Sequence, residues 1–202
     1  MKRHLPYYLT ADGQRVPRLT RILGILREPD IDAKVLDTAA KRGTALHRMI
    51  AETIATSSLA KLPRMATWEL KQAWHGWMKW WALQPKPYAF IGTEIPLVNA
   101  AIGYGATLDL LQHHRVTEWK ATSRIRAKHW VQLHAQVPLA FGEAKRKEVS
   151  VRVVRLDPMV GDYEEQEVKW DEGVWQTFLK LKDVYTDWYR HEWEGHTDGK
   201  VG

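Results

Sequence analysis

The spacing of hydrophobic positions divides the chain into helical and strand-like segments. Over residues 38–55 the apolar and small positions recur every three or four residues, which predicts an amphipathic helix capped by Asp37 or Thr38. Those positions are Ala39, Gly43, Leu46, Ile50 and Ile54. A hairpin around Asp12 and Gly13 and a shorter helix over residues 19–26 are predicted before it.

The pattern becomes strand-like after residue 87. Five strands are predicted, over residues 88–99, 104–112, 115–121, 149–156 and 164–170. A helix over residues 125–142, with a kink at Pro138, separates the third strand from the fourth, and a last helix covers about 171–192. This order predicts an α/β fold with a mixed, mainly antiparallel central sheet, one helical crossover and flanking helices.

The length of 202 residues fits one domain. We expect it to span residues 1–202, with a helical N-terminal part at about 1–85, a core at about 86–170 and the C-terminal helix after it. A second N-terminal helix is predicted over the segment from Trp68 to Trp81, which is rich in tryptophan. These tryptophans are either core residues, as most aromatic residues are, or a platform for stacking unpaired bases.

Charge and composition narrow the partner and the kind of metal site. Thirty basic residues against 24 acidic ones, with a pI near 9.5, favour a polyanion such as nucleic acid. The chain has no cysteine, so disulfides, thiolate zinc sites and iron–sulfur clusters are excluded and any metal must bind oxygen or imidazole. Without a long apolar run or a signal sequence, we expect a cytoplasmic protein that makes no membrane contact.

The hairpin of residues 107–121 carries the candidate chemistry. If His113 and His114 form its tip, Asp109 faces Glu118, and two opposed carboxylates need a cation beside them. Lys120 projects on the same face as Glu118, whereas Trp119 points into the core. Two carboxylates and an ammonium at one place suit Mg²⁺-assisted phosphodiester hydrolysis, whereas Glu118 and Lys120 taken alone fit a surface salt bridge better.

A second segment, "RGTALH" at residues 42–47, adds two unusual residues to the first long helix. Gly43 costs about 1 kcal/mol in a helix relative to alanine and therefore indicates close approach to its backbone. His47, one turn later at the edge of the apolar stripe, is either a structural histidine or part of a site.

Five segments together resemble the PD-(D/E)XK nuclease superfamily, in particular its RecB-type and phage-exonuclease branch. They are "RGTALH", "TEIPL" at 93–97, "GYGATLDLL" at 103–111, "VTEWKAT" at 116–122 and "WVQLHAQ" at 130–136. The upstream "VPRLTRILG" at 16–24 is also similar to that branch, so the resemblance spans residues 16–141. It implies a restriction-endonuclease-like core and comes from the ordered set of motifs.

The resemblance implies a role for each matching residue. The catalytic residues would be Asp109, Glu118, Lys120 and Gln132, and the metal ligands His47, Asp109, Glu118, the backbone carbonyl of Trp119 and, as an auxiliary acid, Glu94. Gln136 stands where the helix motif usually has tyrosine, so the contact made by that tyrosine is absent or rebuilt. The cofactor would be Mg²⁺ or Mn²⁺, with no iron–sulfur cluster and no ATP.

DNA contacts are predicted from hydroxyls and cations around the metal site. They are Arg42, Thr122, Ser123, Arg124, Arg126 and Lys128, with Lys41 as an addition. Residues 122–128 lie where the helix after the last hairpin strand starts, and a helix N-terminus with adjacent cations binds phosphate. The alternative for this segment is a solvated basic loop, and phosphate contacts of this kind would not read base sequence.

Together these features lead us to expect a metal-dependent DNA exonuclease of recombination, repair or phage replication. One alternative is a structure-specific endonuclease or resolvase with the same fold. The other is a DNA-binding module with a degenerate site that supports a recombination partner such as a strand-annealing protein. The phage-exonuclease resemblance also leaves a homo-oligomer open, since ring-forming relatives exist.

Overall fold

The computed structural model describes residues 7–26, 32–85 and 90–189. At its N-terminal end, strands β1 (Tyr7–Leu9) and β2 (Arg15–Pro17) form an antiparallel hairpin, as predicted. Gly13 has a φ of 83° in the turn, a backbone conformation that glycine adopts without strain. The hairpin leads into helix α1 (Leu19–Ile22), which continues as a 3₁₀ turn over Leu23–Leu26.

The first long helix, α2 (Ala33–Thr56), begins five residues before the predicted start. Asp32 caps it by accepting a hydrogen bond from the backbone N–H of Lys34 at 2.6 Å, so the predicted caps, Asp37 and Thr38, lie inside the helix. The Thr38 hydroxyl donates to the carbonyl of Lys34 at 2.8 Å and is satisfied there. The added first turn is exposed, which is why apolar spacing could not reveal it.

The tryptophan-rich helix, α3 (Trp68–Ala82), packs against the sheet. Trp74, Trp77 and Trp80 are buried in the core, whereas Trp68 at the start of the helix is exposed. This placement favours the core interpretation of the cluster. Within the described ranges, no helix combines the length and apolar character needed to cross a membrane.

The central sheet has five strands in the order of the sequence. They are β3 (Gly92–Asn99), β4 (Tyr104–Gln112), β5 (Arg115–Lys120), β6 (Ser150–Leu156) and β7 (Tyr163–Lys169). All neighbours are antiparallel except β5 and β6, which are parallel and joined by helix α4 (Ala127–Lys145). The predicted fold class, a mainly antiparallel sheet with one helical crossover and flanking helices, is confirmed.

Helix α4 departs from its prediction at one point. Its torsions stay helical through Pro138, and the break occurs at Gly142, with a φ of 65° and ψ of −171°. Glycine tolerates this conformation, so the chain leaves the helix there and not at the predicted kink. The last helix, α5 (Glu172–Trp188), matches its prediction, whose final residues 190–192 lie outside the described ranges.

Helices cover both faces of the sheet. One buried cluster joins α1, α4 and α5 to the sheet through residues such as Leu108, Val116 and Val153. The other joins α2 and α3 to it through residues such as Leu110 and Trp119. Leu108 and Leu110 belong to different clusters, although strand residues two apart normally share a face. The alternation of β4 is therefore interrupted at Asp109.

Candidate active site

The sheet opens locally around Asp109. The β4–β5 ladder has the predicted register, with Gln112 opposite Arg115, but it ends at the pair Leu110 and Thr117. Beyond that pair, Oδ2 of Asp109 accepts a hydrogen bond from the backbone N–H of Trp119 at 2.9 Å. A carboxylate thus takes the place of a ladder partner, and Asp109 is 4% exposed.

The neighbouring strand is interrupted at the same level. The β3–β4 ladder pairs Thr93 with Leu110 and Ile95 with Leu108, so Glu94 stands opposite Asp109 without a ladder pair. Glu94 has a φ of 50°, which is uncommon for a residue with a side chain and strains its backbone. The strained backbone turns Glu94 toward the same place as Asp109.

Helix α2 brings His47 to this gap. Its Nδ1 lies 3.1 Å from Oδ1 of Asp109 and 3.4 Å from Oε1 of Glu94, and its Nε2 lies 3.2 Å from the carbonyl oxygen of Trp119. One ligand atom each from His47, Glu94 and Asp109 falls within 4.8 Å of the others. The predicted metal ligands on four separate elements are therefore brought together, with the Trp119 carbonyl among them.

Glu118 lies beside this group and is held by three donors. Its Oε1 accepts from Nζ of Lys120 at 2.6 Å and from Nε2 of Gln132 at 2.5 Å, and its Oε2 accepts from Nε2 of Gln136 at 3.0 Å. Lys120 also donates to Oε1 of Gln132 at 3.1 Å. Gln136 thus provides a contact to Glu118 from the position where the PD-(D/E)XK motif that this helix resembles usually has tyrosine.

Burial and charge shape the protonation of the group. Burial and the charge of Glu118 raise the pKa of Asp109 to about 6. Burial alone would lower the pKa of His47, but the charges of Asp109 and Glu118 and the hydrogen bonds to Asp109 and Glu94 outweigh it and raise that pKa well above its ordinary value. In the same way, Glu118 and Asp109 overcome the effect of burial on Lys120 and raise its pKa, so its side chain stays an ammonium.

The donor set fits a hard divalent cation. Carboxylate oxygens, one imidazole nitrogen and a backbone carbonyl suit Mg²⁺ or Mn²⁺, and the chain has no thiolate to favour a softer metal. His47, whose raised pKa gives it a proton, makes the same contacts to Asp109, Glu94 and the Trp119 carbonyl that a cation would make. Once His47 has lost that proton, these residues would hold the metal, with Glu118 next to it.

A cleft of about 830 Å³ leads to the group. It runs between α2 and the N-terminal hairpin and is lined by Arg18 and Arg48, two cations to which the sequence analysis gave no role. Arg18 falls within the "VPRLTRILG" segment, which was the one available signal. The predicted DNA contacts Arg42, Thr122, Ser123, Arg124, Arg126 and Lys128 are not among the residues that line it.

Residues 121–126 form a loop between β5 and α4. The helix begins at Ala127 with Arg126 as its N-cap residue, so neither Thr122 nor Ser123 caps it. Nη1 of Arg155 donates to the carbonyl of Ser123 at 3.5 Å, and the backbone N–H of Arg126 donates to Nδ1 of His129 at 3.2 Å. The phosphate contacts predicted for this loop stay predictions.

Comparison with known proteins gives limited additional information. The chain matches no protein-family model and no curated protein. Among solved structures it is similar to an alkaline exonuclease, LHK-Exo, from Laribacter hongkongensis, with 13% identity, a TM-score of 0.48 and coverage of 88% of this chain and 89% of the other. The structure of LHK-Exo in complex with dAMP gives 12% identity, a TM-score of 0.49 and coverage of 89% and 90%. At these identities, the function of the chain has to be inferred from its own residues.

Proposed function

We propose that the chain is a metal-dependent deoxyribonuclease of the PD-(D/E)XK type that acts as an exonuclease. The observation that carries this proposal is the convergence of His47, Glu94 and Asp109, beside the Glu118–Lys120 pair, in one gap of the sheet. The two most distant of these residues, His47 and Lys120, are 73 positions apart in the sequence. A chance salt bridge on the surface would not bring the whole set together. Intact acids and lysine also argue against a degenerate binding module.

The chemistry follows from what each side chain can do. A divalent cation bound by the carboxylates supplies Lewis acidity toward a phosphodiester and toward the attacking water. Lys120 is an ammonium held by Glu118 and Gln132, at 2.6 and 3.1 Å, so it stabilises the negative charge that develops on the phosphate. Since its pKa is raised, Lys120 does not act as the base that accepts a proton from water.

The preference for an exonuclease comes from the sequence resemblance to the phage-exonuclease branch. A nuclease that cuts internally would use the same metal ligands and the same lysine. The two activities differ in their need for a DNA end, so a covalently closed circular substrate distinguishes them.

The first prediction tests the proposed activity. We expect Mg²⁺- or Mn²⁺-dependent degradation of end-labelled linear DNA, with closed circular DNA left intact. Asp109→Ala and Lys120→Ala should each lower the rate by about 100-fold or more, because each removes a group that stabilises charge in the reaction. The measurement is the initial rate of label release in a metal titration.

Two exposed residues of α5 provide matched controls, Asp183→Ala and Lys180→Ala, which remove the same side chains far from the site in the sequence. They should degrade DNA like the parent. Cutting that continues in EDTA, or full activity of the Asp109 and Lys120 variants, would refute the proposed function. Cutting of closed circles at the same rate would instead identify an endonuclease.

A further inference from the structure

Gly43 occupies the interior of the 24-residue helix α2, where glycine is destabilising relative to alanine. A glycine at this position predicts close approach by another part of the fold. The structure shows no such approach, because a Cβ built at Gly43 would meet no heavy atom within 4 Å. Packing within the described chain therefore does not account for this glycine.

Gly43 lines the cleft. Four further residues of α2 line it with Gly43 and carry small side chains or the site histidine: Ala40, Thr44, His47 and Ala51. Within this wall, His47 contacts Asp109 at 3.1 Å. A ligand lying along this wall would reach the candidate metal ligands within one helical turn of Gly43.

The cleft also carries the charges that an anionic chain requires. Arg18 and Arg48 line it, and the guanidinium of Arg18 lies 4.8 Å from the centre of the Tyr8 ring. Tyr8 is itself fixed by a hydrogen bond of 2.7 Å between its hydroxyl and that of Thr107. Tyr8 of the N-terminal hairpin therefore braces a cation that lines the cleft.

A buried polar atom beside the cleft also lacks a partner. Gln136 lines the cleft and is fully buried, with its Nε2 bonded to Glu118. Its Oε1 accepts no hydrogen bond from the residues that the structure describes. Buried acceptors are normally satisfied, so the contacts of this side chain are incomplete in the DNA-free chain.

We propose that the α2 wall from Ala40 to Ala51 is the subsite for a single DNA strand next to the scissile phosphate. At Gly43 the sugar–phosphate backbone lies against the helix, where any larger side chain would exclude it. Arg18 and Arg48 neutralise phosphates of the same strand. The inference rests on the proposed function and names the substrate form that its site accepts.

The size of the cleft selects a single strand. A volume of about 830 Å³ lies in the range of roughly 300–1,000 Å³ typical of sites that enclose a small ligand. At its floor Asp109 and Glu118 are 4% and 2% exposed, so the reacting phosphate must descend into the cleft. A short piece of one strand can do so, whereas a paired duplex without a free end cannot.

The second prediction concerns a substitution whose side chain fills the subsite. Gly43→Leu adds a side chain that helix α2 accepts and that has open space, so the fold and Mn²⁺ binding should be retained. Binding of a short single-stranded oligonucleotide should weaken by about 10- to 100-fold, because the strand is displaced from the wall. The readouts are the melting temperature, Mn²⁺ binding to the DNA-free protein by calorimetry, and fluorescence anisotropy of a labelled oligonucleotide with Ca²⁺ in place of Mg²⁺.

The matched control is Thr38→Leu, an exposed substitution on the same helix that is not part of the cleft lining. It should bind the oligonucleotide like the parent. Gly43→Ala should raise the melting temperature and weaken binding less than leucine does. A closed dumbbell duplex should compete at least about 10-fold less well than the single strand, and Arg48→Gln should reduce the slope of log affinity against log salt by about 0.7.

The outcomes separate this inference from the proposed function. If the parent binds Mn²⁺ and degrades DNA but Gly43→Leu binds the oligonucleotide as tightly as the parent, the subsite is refuted. Equal competition by the dumbbell refutes it as well. If the parent neither binds Mn²⁺ nor cuts DNA, the proposed function fails, while a selective loss of oligonucleotide binding in Gly43→Leu would still support the subsite.

Discussion

Glu118 makes three contacts that leave it little freedom to rotate. Lys120 and Gln132 hold one of its oxygens and Gln136 holds the other at 3.0 Å. Donors of this kind fix the orientation of a carboxylate beside a metal and tune its charge. Gln136, at the position where the PD-(D/E)XK motif that this helix resembles usually has tyrosine, is one of these donors.

The third prediction concerns that contact. Gln136→Leu keeps most of the side-chain volume but removes the donor, so we expect Mn²⁺ affinity to fall by about 10- to 100-fold. Gln136→Tyr should recover part of the loss if its hydroxyl reaches Glu118. Calorimetric titration of the DNA-free protein with Mn²⁺ measures both.

His134→Leu is the control for the Gln136 variants. This residue lies two positions earlier on α4 and is just as buried, but it contacts the carbonyl of Trp130 and not Glu118. If both substitutions weaken Mn²⁺ binding equally, the effect of Gln136→Leu comes from helix packing, and its positioning role is wrong.

Residues of the site differed in how readily the sequence revealed them. The hairpin register and the alternation of β5 predicted Asp109, Glu118 and Lys120 near one another, but the ladder ends at Leu110 and Thr117, before the expected pair of Asp109 and Glu118. The contact from Gln136 depends on the distance between α4 and β5, which spacing along the chain does not encode. Arg18 reaches the cleft through the hairpin fold, and therefore it too could be located only in three dimensions.

Two helix glycines of the molecule have opposite surroundings. A Cβ at Gly43 of α2 would meet nothing, whereas a Cβ at Gly76 of α3 would lie 2.6 Å from the backbone oxygen of Asp162 in the β6–β7 turn. That oxygen belongs to the backbone and cannot move aside cheaply. Gly76 thus allows α3 to lie against the turn, while Gly43 has no such role.

The fourth prediction uses this contrast. Gly76→Ala should lower the free energy of unfolding by about 1 to 3 kcal/mol, because overpacking outweighs the gain in helix propensity. Gly43→Ala should raise it by up to about 1 kcal/mol. Chemical denaturation of both variants measures the two changes, and a stabilised Gly76→Ala would mean that the contact between α3 and the turn is looser than described.

At the scale of elements, types were predicted better than boundaries. Strands and helices follow from apolar periodicity, which reflects burial against the whole sheet. The start of α2 depends on one side chain, Asp32, and the break in α4 on one glycine, Gly142. Such local features compete with equally plausible neighbours, here Asp37, Thr38 and Pro138, and the pattern alone did not choose correctly among them.

Across the whole molecule, side chains of opposite charge lie together at the site, between the two buried clusters that cover the sheet. His47 takes a proton more readily in the folded chain than in the unfolded one, because Asp109 and Glu94 lie beside it. This contribution to stability is complete below the unfolded pKa of about 6.5 and is lost as the pH rises toward the folded pKa. Burial lowers the pKa of His129 and His134, so these two residues reduce the stability of the folded chain only as the pH falls below about 6.5.

The fifth prediction follows from this balance. In EDTA, the melting temperature should fall between pH 7 and 9 as the folded protein loses the proton of His47. Mn²⁺ should weaken or reverse the trend, because cation and proton compete for the same ligands. Differential scanning fluorimetry measures the trend, and a His47→Gln variant should flatten it. A melting temperature that rises with pH in EDTA would contradict the protonation described for His47.

Both backbone polar groups of Trp119 in β5 contact side chains of the site. The N–H of Trp119 donates to Asp109, and its carbonyl lies 3.2 Å from Nε2 of His47. Here the site itself replaces the sheet hydrogen bonds that would otherwise hold the strand to β4. The exchange rate of the Trp119 amide proton is therefore a built-in reporter of whether the site is assembled, readable by NMR without substrate, metal or label on the DNA.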